Sequence, residues 1–289
     1  MRTAIYNTSR SFFLGLVVAC APAIRVPGPP TPIPAIPEQE EEQPPSNMSW
    51  SFAYRAGVSS YRVTREASIE NQTDSGTTSE ATSNVTHELL SLERIGDTIQ
   101  FVIAADTFAT TAHNPARVVQ TPMVPARLTG SWVNDSLKLV ADTVSGSCSP
   151  VQSALASDLH NLLTVFPTQL TRGMTWSDSV RITGCQGMIP TVAQISRVYT
   201  VSGDTLYEGS SLVVVQRRDS IEADGEGAQQ QHQLHLAAAG TGTALYYLDP
   251  ATGRVTRLTT TQEIGMTVTA SGKSHRFKQN LKQEFVVAR

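Results

Sequence analysis

Basic residues are too few and too scattered in this chain to grip a polyanion: 22 Lys+Arg stand against 25 Asp+Glu, for a net charge of −3. Phosphate binding needs clustered cations, so nucleic acid is excluded as a partner. Long apolar runs are missing as well. The N-terminal run Phe12 to Ala19 falls well short of the roughly 20 residues that cross a bilayer as a helix. Aromatics make up only 6% of the chain and charged residues 16%. Ser, Thr and Val fill much of the remainder, the composition of antiparallel strands with one wet face. Familiar catalytic signatures are lacking too: there is no Gly-x-Ser-x-Gly elbow, no His-Glu-x-x-His, no P-loop and no Gly-x-Gly-x-x-Gly.

What the N-terminus does contain is ordered. Arg2 and Arg10 precede the apolar run, the layout of an export signal. That run ends in Val17-Val18-Ala19-Cys20. These four residues resemble the lipobox of bacterial lipoproteins, two branched apolar residues and a small one before cysteine. The resemblance implies cleavage after residue 19, diacylation of the Cys20 sulfur and acylation of the new amine. Several acyl chains on one residue anchor firmly, whereas a single chain binds a membrane only marginally. Removing residues 1–19 takes away two arginines and no acid, leaving the mature chain more negative. Ala21 and Pro22 follow the cysteine, neither of them the Asp that retains many such proteins in the inner membrane. The implied location is the cell envelope, on the outer membrane, with the lipid anchor as membrane partner.

Residues 20–47 read as a tether. Between Pro22 and Ser46 proline is too dense for helix or ladder, so the segment should run as extended polyproline, kept solvated by Glu38, Glu40, Glu41 and Glu42. Residues 48–289 then read as one β-rich domain. Its clearest strand is Arg254 to Thr269, where Leu258, Ile264, Met266 and Val268 share one parity and Arg257, Thr259, Thr261, Glu263 and Thr267 the other. The same alternation marks Trp50-x-Phe52-x-Tyr54, Tyr61 to Ile69, and Ile189 to Val201. Further strands are predicted at 85–95, 98–109, 127–134, 137–144, 175–183, 205–221, 232–238 and 243–248. The C-terminal stretch Phe277, Leu281, Phe285 and Val287 fits either period two or a helix at i, i+4, i+8, and is read as a strand because Gly272 puts it in hairpin position after the preceding one. Gly- and Asx-containing reversals separate them at 95–98, 134–136, 201–204, 249–253 and 270–273, which makes an antiparallel meander.

One helix interrupts the strands. Ser149 suits an N-cap, Pro150 the first helical position, and Gln152 completes a capping box. Val151, Leu155, Leu159, Leu162 and Phe166 then mark one face, and Pro167 stops the helix, so its span is predicted as 150–166. That face must be buried on the concave side of a curved sheet or in a barrel mouth. The fold class is therefore all-β: a long meander forming a curved half-barrel or barrel-like sheet with one amphipathic helix.

With Cys20 assigned to lipid, Cys148 and Cys185 remain, and in an oxidising compartment they should pair. Neither metal nor cofactor is expected. The six histidines, at 87, 113, 160, 232, 235 and 275, do not cluster, and His232 and His235 fall on opposite faces of a strand. Gly240-Thr241-Gly242 sits between two predicted strands without a helix to hold phosphate. Asp219, Glu222, Asp224 and Glu226 read as a solvated loop rather than a catalytic carboxylate pair.

Two local patterns carry a second resemblance. Pro167-x5-Gly173-Met174-Thr175-Trp176 and Tyr246-Tyr247-Leu248-Asp249-Pro250-Ala251-Thr252-Gly253-Arg254-Val255 are similar to turn-and-strand elements of uncharacterised bacterial lipoproteins built as β-meanders. The whole layout looks like the open half-barrel of the envelope lipoprotein-carrier proteins. That resemblance implies a concave apolar surface for an acyl chain or hydrophobic segment, partly plugged by the helix. The leading expectation is a non-enzymatic envelope lipoprotein that binds a hydrophobic ligand or a protein partner on its curved sheet. A structural or assembly component with a filled core is the first alternative. The second is a hydrolase, which would need a His, a nucleophile and a carboxylate converging at one rim.

Overall fold

The computed structural model describes residues 48–288, apart from 74–75, 115–116, 123–125, 134–135, 141–148, 188 and 230–231. Cys20, the lipobox, the tether before Met48, and Cys148 lie outside the described residues. The strands, in chain order, are β1 (Ser49–Ser51), β2 (Gly57–Thr73), β3 (Gly76–Ile95), β4 (Thr98–Asn114), β5 (Arg117–Pro122), β6 (Ala126–Val133) and β7 (Ser136–Val140). After the helix α1 (Pro150–Leu162) come β8 (Gln169–Thr171), β9 (Thr175–Gln186), β10 (Ile189–Tyr207), β11 (Ser210–Gln229), β12 (His232–Asp249), β13 (Arg254–Ala270) and β14 (Lys273–Val287).

One curled antiparallel sheet holds nearly all of them, in the order β7-β6-β4-β3-β2-β14-β13-β12-β11-β10-β9, with β5 on β4. The meander is cut once, where β2 joins β14, so the first and last long strands are neighbours at the centre. β1 and β8 form a separate two-stranded piece. The helix contacts β9 at one end of the sheet and β6 and β4 near the other. It thus spans the gap that the half-barrel leaves open.

Period-two alternation sorts side chains between the faces. In register across six strands, Val63, Phe285, Leu258, Tyr246, Val215 and Val201 form one inward rung, each at most 1% exposed. One rung outward-facing reads Arg218, Thr243, Thr261, Lys282 and Glu66. Apolar goes in and polar goes out.

Several expectations change in detail. The helix starts as expected: the Gln152 amide donates to Ser149 Oγ at 3.4 Å, and Pro150 occupies the first turn. It ends at Leu162 rather than at 166. The Tyr54 hydroxyl donates to the Leu162 carbonyl at 2.8 Å and accepts from the Thr164 amide at 3.2 Å, taking up groups that another turn would have used. Phe166, before Pro167, is also turned away from helical backbone by the proline ring. Gly240 and Gly242 do not separate two strands but lie inside β12. A Cβ on Gly240 would meet the Glu263 carbonyl at 2.2 Å, so the glycine permits a close backbone approach within a continuous ladder. The charged stretch 219–226 is likewise strand, part of β11, because Asp219 faces inward to a buried arginine while Glu222, Asp224 and Glu226 point to solvent. The predicted reversal at 201–204 is a bulge between Val201 and Gly203, and the chain turns instead at Glu208-Gly209. Of Trp50, Phe52 and Tyr54, only Trp50 is in a strand.

Candidate functional site

The inner face has three zones along the strand direction. At the first, aromatic side chains fill the interior. Phe166, from the segment after α1, makes edge contacts with Phe52, Trp176, Tyr199 and Tyr246, and Trp176 stacks on Tyr199 at 4.9 Å between centroids. Leu155, Leu159 and Leu162 of α1 are buried in the same core. Each such aromatic removes a large apolar area from water and dominates the local stabilisation.

A polar belt follows, formed where three inward arginines meet the helix. Arg65 of β2 donates to Glu88 Oε1 at 2.7 Å, to Thr86 Oγ1 at 2.7 Å, and to Asp158 of α1. Gln283 Nε2 donates to the other Asp158 oxygen at 3.2 Å. Arg217 of β11 donates to Asn161 Oδ1 at 3.0 Å, to Asp219 Oδ2 at 2.8 Å, and to the Tyr246 hydroxyl. Arg197 of β10 donates to the His160 carbonyl at 3.1 Å. Burial pushes the Asp158 carboxyl well above the usual carboxylate range; Glu88 adds to this and Arg65 opposes it. Burial, with the charge of Arg197, lowers His160 to about 4. The arginines and their side-chain partners are buried and each makes at least one hydrogen bond, although Glu88 Oε2 and Arg197 Nε have none among the described residues; Asp158, Asn161 and the His160 carbonyl join α1 to the sheet through them.

The third zone is open. Beyond the belt, the next inward rungs bring Ile69, Ile264, Ile221, Ile195 and Val180 into line, with Gly240 between Ile264 and Ile221. Here the first half of α1 leaves a cavity of about 190 Å³ between Ser153, Ser157 and the sheet. Its apolar lining includes Ile182, Ile195, Ile221, Leu236, Ile264 and Met266, while Ala193, Ala223 and Ala238 keep the floor low. Gln186, Gln262 and Gln279 border it, and Gln186 Nε2 donates to Gln279 Oε1 at 3.2 Å. This trough is the candidate site. A larger but exposed groove of about 740 Å³ crosses the outer face, walled by outward side chains such as Glu66, Thr241, Thr261 and Lys282.

Cys185 borders the trough, next to Gly184, whose α-carbon side faces Ser153 at the helix start. No group of three or more His, Cys, Asp or Glu suited to a metal occurs among the described residues. His232 Nδ1 lies 2.7 Å from Ser271 Oγ at an exposed hairpin end, but no described carboxylate hydrogen-bonds that histidine. The parts of a catalytic triad are therefore not assembled there.

No family model matches this chain, and no curated protein matches it. Similar solved structures include Pseudomonas aeruginosa OccK2 (OpdF) in complex with glucuronate, 6% identical over 80% of this chain and 98% of that one, with a TM-score of 0.25. A BenF-like porin from Pseudomonas fluorescens Pf-5 is 6% identical over 80% and 99%, with a TM-score of 0.27. Pseudomonas putida OprB is 7% identical over 80% and 94%, with a TM-score of 0.25. Likeness at this level carries nothing about function. The side chains themselves are more informative: a barrel embedded in lipid turns apolar residues outward, whereas the central strands of this sheet turn Arg218, Thr243, Thr261, Lys282 and Glu66 outward and Ile195, Ile221 and Leu258 inward.

The arginine belt was missed by sequence reasoning. Its signal was present in part: Arg65, Arg197 and Arg217 each hold an inward parity position in an otherwise alternating strand. Their acidic partners on α1, β3 and β11 are distant in sequence or hidden among solvent-facing acids.

Proposed function

We propose that this chain is an envelope lipoprotein, anchored through an acylated Cys20 and the proline-rich tether, whose β-domain holds an apolar ligand in the trough beside α1. It acts by binding rather than catalysis. The observation that carries this reading is the unfilled apolar zone on a sheet whose other end is packed solid. Apolar area left in water is costly at about 25 cal/mol per Å², so a pocket kept open is best accounted for by an occupant.

The test has two arms. Cells given labelled palmitate should label the wild type and not Cys20→Ser; equal labelling of both would defeat the anchor. Protein purified from cells and examined by native mass spectrometry should carry an extractable apolar ligand. Consistently empty protein that also binds no added amphiphile would defeat the pocket. A purely structural role in the envelope is the second reading, favoured by the solid aromatic end; it predicts that filling the trough leaves cellular function unchanged.

A further inference from the structure

The trough differs from the belt beside it in one chemical respect. The described residues that line it contain no Asp, Glu, Lys, Arg or His, and its polar groups are the hydroxyls of Ser153, Ser157 and Thr191 and the amides of Gln186, Gln262 and Gln279. The nearest rung towards the belt does hold charge, in the half-buried Asp178, which accepts from the Tyr199 hydroxyl at 3.1 Å, and in the pair Arg197 and Asp219. Both are buried, at 2% and 5% exposure, and both are engaged: Arg197 with the His160 carbonyl, Asp219 with Arg217. Neither lines the cavity. Outward residues near this end, Glu222, Asp224 and Arg181, point away by parity.

An ionised head group placed at this rim would lose hydration without gaining a counter-charge, which is strongly unfavourable. Ester and amide carbonyls or hydroxyls, in contrast, are matched by the glutamine amides and serine hydroxyls, which both donate and accept. The volume limits the apolar part as well. A dry cavity of about 150 Å³ accepts a molecule of benzene's size. A cavity of about 190 Å³ therefore takes a short length of a single alkyl chain, or one ring, rather than several chains.

We infer that the trough selects neutral single-chain acyl compounds, with ester or amide heads, over free fatty acids and phosphorylated lipids. This inference rests on the proposed ligand-binding role and narrows it. The test uses the full chain and three probes of equal chain length, monodecanoylglycerol, decanoate and decyl phosphate, each below its micellar concentration at pH 7.5 and measured by titration calorimetry. The glycerol ester should bind at least tenfold more tightly than either anion. In Gln279→Lys, which places a cation at the rim, decanoate should gain and the ratio should fall or invert. Decanoate or decyl phosphate binding as tightly as the ester to the unaltered protein overturns the inference while leaving the binding role intact. Failure of all three probes to bind overturns both. An unchanged ratio in a folded Gln279→Lys variant, judged by its circular dichroism, removes the rim from the account of selectivity.

Discussion

The two ends of the inner face are built on the same strands, yet one is filled and the other is open. Val63, Phe285, Leu258 and Tyr246 share one buried core with Phe52 and Phe166 from outside the sheet, and Phe166 packs edge-on against Tyr246. Ile264, Ile221 and Ile195 instead line a cavity whose far wall is Ser153 and Ser157 in the first half of a short helix, and Ile69, on the same rung, is exposed. Alternation alone makes a face apolar, and what covers that face is decided elsewhere in the chain. Between the two ends, the arginine belt fixes α1 in place, so the difference is held by charge as well as by packing.

The comparison can be broken most severely at the belt. Arg65→Ala leaves Glu88 and Asp158 buried without their cation and should cost about 3–5 kcal/mol, read as a lower midpoint in urea unfolding. A loss under about 1 kcal/mol would mean that the belt does not hold the helix. Next come the two ends themselves. Leu159→Ala, fully buried on α1, should cost about 2–5 kcal/mol, whereas Ile264→Ala in the trough should cost clearly less because its side chain is only partly buried and already borders a cavity. Equal losses would show that the trough is packed in solution.

His160 sharpens the contrast through pH. Its folded value of about 4 lies below the ordinary 6.5, so the unfolded chain binds the extra proton first on acidification. Its stabilising contribution is full above about pH 6.5 and is lost as the pH falls towards 4, by up to about 3 kcal/mol. Asp158 works in the opposite sense, since its raised value favours the folded state in acid. The measurement is therefore the difference in pH dependence between wild type and His160→Gln, and identical profiles would refute this assignment. The smallest expected effect is Ala223→Leu, which fills part of the trough. It should shift stability by less than about 1 kcal/mol while abolishing monodecanoylglycerol binding.

Much of the fold was legible because period two is written plainly in β13 and β10, because Gly272 puts β14 in hairpin position, and because Ser149-Pro150 marks a helix start in the sequence itself. The end of the helix was not, since it depends on Tyr54, more than a hundred residues away in the chain. The continuous β12 was hidden by glycines that look like a turn but serve close packing against β13. Of the site, the inward isoleucines could be read, but the emptiness beside them could not. It depends on where α1 lies against the sheet, which is fixed by the Arg65–Asp158 ion pair and the Arg197 and Arg217 hydrogen bonds between residues remote in sequence. We propose that Cys148 pairs with Cys185, which would put a covalent tie beside Ser149 at the helix start; a mass of the acylated protein unchanged by alkylation without reductant supports the pairing, and a mass increased by two alkyl groups removes it.

A sheet with two terminal strands would ordinarily offer unsatisfied amides and carbonyls to any passing chain. Laying α1 against β9 shields one of those margins. Such a guard hinders stacking of neighbouring copies into ribbons. Disrupting the helix should therefore show up as self-association as well as a loss of stability.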